Sequence, residues 1–276
     1  CRLCGSWSSS NFAAEELRFD RDNEFHKQML KDGAWPRENS NFWSSVDDIV
    51  HNIKYIEFTG GEPFMIQEHF TLLQAIVEKG IAGNVEIHYN TNGTKYPEQA
   101  ENIWKHFKTV EIAFSIDDVE DRFEYQRTNA NWNEVNANIA RFKDLQKKYP
   151  NIIQLQVCST VNVYNVMYLE QLAHWIDAQQ FDFVYWNMLH EAYYLSVGTL
   201  SAKAKSAAID KLQNASVSDF HRKEFDKIID FINRGVEIDG NILRMKVEDL
   251  DWKRGVDLRT HHLELAEAID YHGPKR

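Results

Sequence analysis

The sequence predicts an α/β fold in which parallel strands are joined by helical crossovers, as an open or closed barrel. Two observations carry this. Segments with apolar residues three or four positions apart alternate with short β-rich runs five times before residue 190, a rhythm that suits a parallel sheet rather than a sandwich. Composition agrees, because 43% of the 276 residues are hydrophobic, enough to bury a large core, while only 12 Gly and 5 Pro interrupt the chain.

Each element has its own signal. Ser8 to Leu30 opens on Ser-Ser-Ser-Asn, residues that cap helices, and is read as one helix. Phe42, Val46, Ile49, Val50 and Ile53 recur at helical spacing; the alternating run Tyr55 to Phe58 then stops at Thr59-Gly60-Gly61 and reads as a strand. Ile66, Phe70, Leu73 and Val77 form the next helix, with Gly80 as its stop, and Val85 to Tyr89 the next strand. Pro97 suits a first helical position before Ile103, Trp104 and Phe107, and Val110 to Ser115 follows as a strand. Val135, Ile139, Phe142 and Leu145 mark a helix ended by Pro150, and Ile152 to Val157 the fourth strand. Val166, Leu169, Leu172, Ala173 and Ile176 give another helix before the strand Phe181 to Trp186. Beyond it no strand is evident. Ser201 to Asn214, Ser218 to Asn233, Val247 to Arg254 and His261 to Ile269 read as helices.

Charge and cysteine usage narrow the function. With 31 Lys and Arg against 42 Asp and Glu, the net charge of −11 disfavours non-specific binding of nucleic acid. No run of 18 apolar residues is available to cross a membrane. Three cysteines do not make a disulfide framework, so a reducing, cytoplasmic location is expected. The chain starts on Cys rather than Met, and a segment upstream of it is expected.

Ligands of α/β sheets bind beyond the C-terminal ends of the strands. Four successive strand ends carry Thr59-Gly60-Gly61-Glu62-Pro63, Asn90-Thr91-Asn92-Gly93, Ser115-Ile116-Asp117-Asp118 and Thr160-Val161-Asn162. Ordinary turns favour the same residue types, and it is their convergence that singles them out. Gly60 and Gly61 let a ligand approach the main chain beside Glu62, which can accept from an ammonium group. Neither G-x-x-x-x-G-K nor G-x-G-x-x-G is present, so this is no phosphate loop. Cys1 and Cys4 form a C-x-x-C whose thiolates suit a soft metal, an iron–sulfur cluster or a redox pair. Cys158 reads as an inert thiol within a strand, and His26, His51, His261 and His262 as solvated. Tyr185, Trp186, Tyr193 and Tyr194 suit either a dry cavity or the core.

Cys1-Arg2-Leu3-Cys4-Gly5, Thr59 to Pro63, Asn90 to Gly93 and Ser115 to Asp117, in this order and spacing, resemble the radical S-adenosylmethionine (AdoMet) enzymes, particularly the branch with SPASM or twitch extensions. The resemblance implies a partial (β/α)6 barrel over residues 1–190, its first strand outside this sequence, and a helical extension over 191–276, a twitch-like remnant or a substrate cap. It implies a [4Fe-4S] cluster on three cysteines, with Cys1 and Cys4 as the second and third and the first four positions before Cys1, so that this fragment alone would be inactive. Iron left with an open position would chelate AdoMet. Gly60 and Gly61 would offer it main-chain contacts and Glu62 would meet the methionyl ammonium, with Thr59, Asn90 and Asn92 also among the cofactor-binding residues. Ser115 and Asp117 would lie near the ribose or methionyl end, and Arg127, or its competitor Arg122, would meet the carboxylate. Leu3, Val161, Asn162 and Tyr185 would complete the adenosine pocket.

The activity so implied is reductive cleavage of AdoMet to a 5′-deoxyadenosyl radical that takes hydrogen from a peptide substrate, with electrons from a flavodoxin- or ferredoxin-type donor. An epimerase or dehydrogenase acting on a sugar, nucleotide or other small metabolite is the alternative within the class. A non-catalytic barrel or redox-binding module is the alternative outside it. No Cys follows Cys158, so an auxiliary cluster is not expected in the extension.

Overall fold

Five strands, β1 (Tyr55–Phe58), β2 (Glu86–Thr91), β3 (Thr109–Ser115), β4 (Ile153–Val161) and β5 (Phe183–Met188), form one sheet in the order β1-β2-β3-β4-β5. The computed structural model describes residues 1–7, 9–32 and 39–275. Strands β1 and β2 pair in parallel, with Tyr55 opposite Glu86, and β2 pairs in parallel with β3, with Glu86 opposite Thr109. Sequential order is what right-handed helical crossovers produce. The helices that precede β1 are α1 (Ser10–Glu16), α2 (Glu24–Asp32) and α3 (Ser40–Ile49); between strands lie α4 (Gln67–Glu78), α5 (Ala100–Trp104), α6 (Glu120–Gln126), α7 (Trp132–Lys148) and α8 (Leu169–Gln179). After β5 come α9 (Ala202–Asn214), α10 (Asp219–Arg234), α11 (Gly240–Arg254), α12 (Leu258–His261) and α13 (Leu263–Ala268), with no further strand among the described residues.

The chain forms two compact units. One comprises Arg2–Phe114 and Glu134–Gln156. Its core is aromatic: Tyr89, Trp104, Phe114 and Phe142 are fully buried, Phe58 stacks on Tyr89 at 5.0 Å, and the Trp104 indole donates to the Tyr89 hydroxyl at 3.3 Å. His69 is buried in this layer against Phe58 and Phe70, and burial pulls its pKa down to about 4. The other unit comprises Cys1, Ser115–Asn133 and Val157–Arg276. There Phe123, Leu172, Ile176, Phe225, Ile228, Ile232, Val247 and Leu265 are buried, and the Trp186 indole donates to His221 at 3.2 Å.

Several expectations are corrected. The stretch read as one helix is two, because the chain leaves the helix after Glu16 through turns at Leu17–Phe19 and Arg21–Asp22, and the Asn23 side chain accepts from the His26 N–H at 3.1 Å to start α2; Ser8 lies outside the described residues. Pro97 is not a first helical residue: its carbonyl accepts from the Ala100 N–H at 3.0 Å in a turn, and α5 starts at Ala100. Strand β4 runs to Val161 rather than Val157, since main-chain bonds from Ile116 N–H to Cys158 O and from Leu189 N–H to Val161 O hold its polar end in the sheet. Helix α6 carries few apolar residues and has no counterpart in the sequence reading.

Two histidines read as solvated are buried. His26 meets the Ser6 hydroxyl at 2.9 Å. His262 is fully buried among the rings of Tyr125, Tyr164 and Tyr168, and burial lowers its pKa. Of the four late aromatics, Trp186 belongs to the core, whereas Tyr185 and Tyr193 are more than half exposed.

Candidate functional site

In the first unit the site is built on the loop that follows β1. Gly60 and Gly61 have φ of +81° and +54°, and a Cβ on either would meet nothing within 4 Å. The glycines are therefore required by the backbone turn, and the space over them is open. The chain then enters a single 3-10 turn at Pro63, and Glu62 caps it, its Oε1 accepting from the Phe64 N–H at 3.3 Å. The same carboxylate reaches the end of β2: Oε1 accepts from the Thr91 hydroxyl at 2.8 Å and Oε2 from the Asn92 N–H at 2.8 Å. Glu62 is thus a buried carboxylate that accepts from a hydroxyl and from two main-chain N–H groups. Asn92 accepts from the Thr94 N–H at 2.9 Å, and Asn90 donates to Glu57 at 3.1 Å. Gly93, at φ +77°, could not carry a Cβ without pressing within 3.1 Å of Val135.

In the second unit the site is built where β3 and β4 end. Asp117 is buried; its Oδ2 accepts from Arg127 at 2.6 Å and its Oδ1 from the Thr160 N–H at 2.8 Å. Asn165 donates to the main-chain oxygens of Asp117 at 2.6 Å and Thr160 at 2.9 Å. Asn162, fully buried, donates to Thr160 O at 2.8 Å and to Gln126 at 3.3 Å, while its own oxygen accepts from the Tyr164 N–H at 2.9 Å. These bonds fix both strand ends as one rigid element. Arg127 caps the C-terminus of α6. Its guanidinium donates to Asp117, and its Nε is buried and meets no acceptor. Arg122 is committed elsewhere: it donates to Asp118 at 3.0 Å and to Gln171, and lies over the Tyr168 ring at 4.6 Å.

The other candidates fall as follows. Asn90, Thr91, Ser115, Thr160 and Val161 are the last residues of their strands rather than loop residues. Val161 is fully buried and its carbonyl accepts from the Leu189 N–H, whereas Tyr185 is exposed on β5. Thr59 is exposed, Leu3 half-buried, Cys1 half-buried and Cys4 exposed, and neither cysteine is in a disulfide among the described residues. Cys158 is also a free thiol, half-buried in β4, its pKa pushed up to about 11 by burial and by the nearby Asp117. Asn165 and Gln126 were not singled out by sequence reasoning; the Asn-x-x-Asn spacing of 162 and 165, which lets one asparagine bond the other's N–H at 2.9 Å, is the signal that was available.

Two features bear on cofactors. A buried guanidinium N–H with no acceptor costs free energy unless a ligand supplies one, and a carboxylate such as that of AdoMet fits Arg127. Thiols at Cys1 and Cys4 are the donor type that iron–sulfur clusters use; among the described residues no group of three or more His, Cys, Asp or Glu is placed to hold a metal.

A family model, the radical SAM superfamily, matches residues 1–175. The chain belongs to the radical SAM superfamily. Its five-stranded sheet, in sequential order, fits the partial barrel expected of the radical SAM fold. Radical SAM enzymes use a [4Fe-4S] cluster and AdoMet. Solved structures similar to this radical SAM chain include anSMEcpe with bound AdoMet and anSMEcpe with bound AdoMet and a Cp18Cys peptide. Each is 18% identical with a TM-score of 0.44, covering 74% of this chain and 55% and 56% of the other. The chain therefore spans about half the length of those proteins. No curated protein matches it. Among the described residues no helix is long and apolar enough to cross a membrane.

Proposed function

We propose that residues 1–190 bind AdoMet and a [4Fe-4S] cluster in a radical SAM enzyme, with 191–276 as a helical extension. Arg127 takes the AdoMet carboxylate and Glu62 the ammonium, while Gly60, Gly61 and Thr59 offer main-chain contacts. Asn90, Asn92, Ser115 and Asp117 line the methionyl and ribose ends; Leu3, Val161, Asn162 and Tyr185 line the adenosine. Cys1 and Cys4 hold iron together with a cysteine four positions before Cys1. Bound there, cluster and AdoMet together supply a 5′-deoxyadenosyl radical able to take hydrogen from a substrate, which the likeness of the motifs to the SPASM and twitch branch suggests is a peptide. A flavodoxin- or ferredoxin-type protein supplies the electron, in the cytoplasm.

The observation that supports the AdoMet placement is Arg127, a half-buried side chain that holds Asp117 with one nitrogen and keeps its buried Nε without an acceptor. Asp117 fixes the guanidinium by a charge-assisted bond, so that a carboxylate ligand meets a donor already oriented. The gene's full-length product, reconstituted anaerobically with iron and sulfide, is expected to bind about four irons and to release 5′-deoxyadenosine from AdoMet with dithionite. Cys4→Ala is expected to abolish both. Full iron content in that variant would remove Cys4 from the ligand set, and a full-length product that binds no iron would refute the enzymatic reading. Mass spectrometry of candidate peptides after turnover tests the substrate class; products formed only from sugars or nucleotides would exclude peptides.

A further inference from the structure

The C-terminal helices are tied to α6, the helix that ends at Arg127. Asp251 on α11 is fully buried, and its Oδ1 accepts from the Tyr125 hydroxyl of α6 at 2.9 Å. Its Oδ2 accepts from the Tyr271 hydroxyl at 2.7 Å and from the Leu258 N–H at 2.8 Å. Two more contacts meet the same segment: His261 lies 3.1 Å from Asp121, and His262 lies 3.8 Å from Asp118. Positions 121 and 125 are four apart on α6, so those two contacts fall on one side of the helix, while Asp118 lies in the turn that leads into it.

That turn is strained. Glu120, the first residue of α6, has φ +55°, a left-handed conformation that a non-glycine residue keeps only where its surroundings impose it. Two residues of the proposed cofactor site flank the strained segment, Asp117 before it and Arg127 after it, and they meet at 2.6 Å. Whatever fixes α6 therefore fixes the guanidinium.

We propose that Asp251 is a positioning residue for AdoMet binding: through its bond to Tyr125 it holds α6 in the placement that sets the Arg127 guanidinium against Asp117. The inference rests on the assignment of Arg127 to the AdoMet carboxylate, and it gives the C-terminal helices a part in cofactor affinity.

The test uses the full-length reconstituted protein with AdoMet as the probe, at a temperature well below the unfolding midpoint of every variant. Tyr125→Phe removes only the hydroxyl and keeps the ring, so it serves if Asp251→Asn fails to fold. It is expected to raise the AdoMet dissociation constant about tenfold, the size of losing one hydrogen bond to a charged group, with iron content unchanged. Arg127→Gln should raise it at least as much, and Tyr125→Phe added to Arg127→Gln should cause no further loss, because both act through one guanidinium. A purely structural contact would lower the unfolding midpoint and leave the dissociation constant alone, which overturns the inference, as do additive effects in the double variant. If Arg127→Gln binds AdoMet as the wild type does, the assignment of Arg127 fails, and the role of Asp251 falls with it.

Discussion

The loop around Glu62 and the strand ends around Asp117 each bury a carboxylate, and the partners described at the two differ. The bonds described at Glu62 come from a hydroxyl and two main-chain N–H groups. Such donors satisfy a carboxylate's lone pairs. Asp117 meets a guanidinium. There the charge is balanced, and what remains on offer is the surplus N–H of Arg127. In the proposed reading Glu62 meets the ammonium of AdoMet and Arg127 its carboxylate, so the two regions are assigned different ligand groups. Sequence types alone do not separate the regions, since each is an acidic residue just beyond a strand.

Breaking the Asp117 pair is the harshest way to test that contrast. Arg127→Gln leaves a buried carboxylate without its counter-ion and is expected to cost about 3–5 kcal/mol of stability, read from denaturant unfolding; a cost below 1 kcal/mol would mean that Asp117 does not depend on the pair.

Acid probes the unit that holds Glu62. His69 has a folded pKa of about 4 against an ordinary 6.5, because burial disfavours its charged form. Its contribution is therefore fully present above pH 6.5 and is lost as pH falls toward 4, by up to about 3 kcal/mol. His69→Gln, which can still donate to the Ile66 carbonyl that His69 contacts at 2.5 Å, should flatten that slope. An unchanged pH dependence of unfolding would show that other groups cause it.

A smaller effect is expected beside Asn92. Gly93→Ala places a Cβ 3.1 Å from Val135 at φ +77° and should cost about 1–2 kcal/mol, measured by the unfolding midpoint. No loss would mean that the turn relaxes, and that the Glu62 loop tolerates more change than the bonds around it suggest.

Much of the fold was legible because its signals are local. The strand at Tyr55–Phe58 was read to the residue, its end marked by a glycine pair that the backbone needs at positive φ. α9 and α10 lie within a residue of their predicted limits, since Ser201 and Ser218 stand at their caps. What escaped depends on partners far along the chain. In the sequence the polar pair Ser159-Thr160 sets the end of the strand before it, yet main-chain bonds from Ile116 to Cys158 and from Leu189 to Val161 keep this stretch in the sheet. α6 has the sequence EDRFEYQ and starts in a left-handed conformation, so no apolar period announces it. Asp117 and Arg127 could each be singled out by type, but their 2.6 Å contact and the unpartnered Nε follow only from the fold.

The contrast between the regions is tested most directly by the affinity of the full-length reconstituted protein for AdoMet and for decarboxylated AdoMet, in wild type, Glu62→Gln and Arg127→Gln. Glu62→Gln should weaken both ligands alike, because both keep the ammonium. Arg127→Gln should weaken AdoMet about tenfold or more and leave decarboxylated AdoMet nearly unchanged, as expected for loss of a charge-assisted bond to the carboxylate. If Arg127→Gln leaves the preference for AdoMet over its decarboxylated form at the wild-type value, the Arg127 guanidinium does not read the carboxylate, and the account is wrong at its centre.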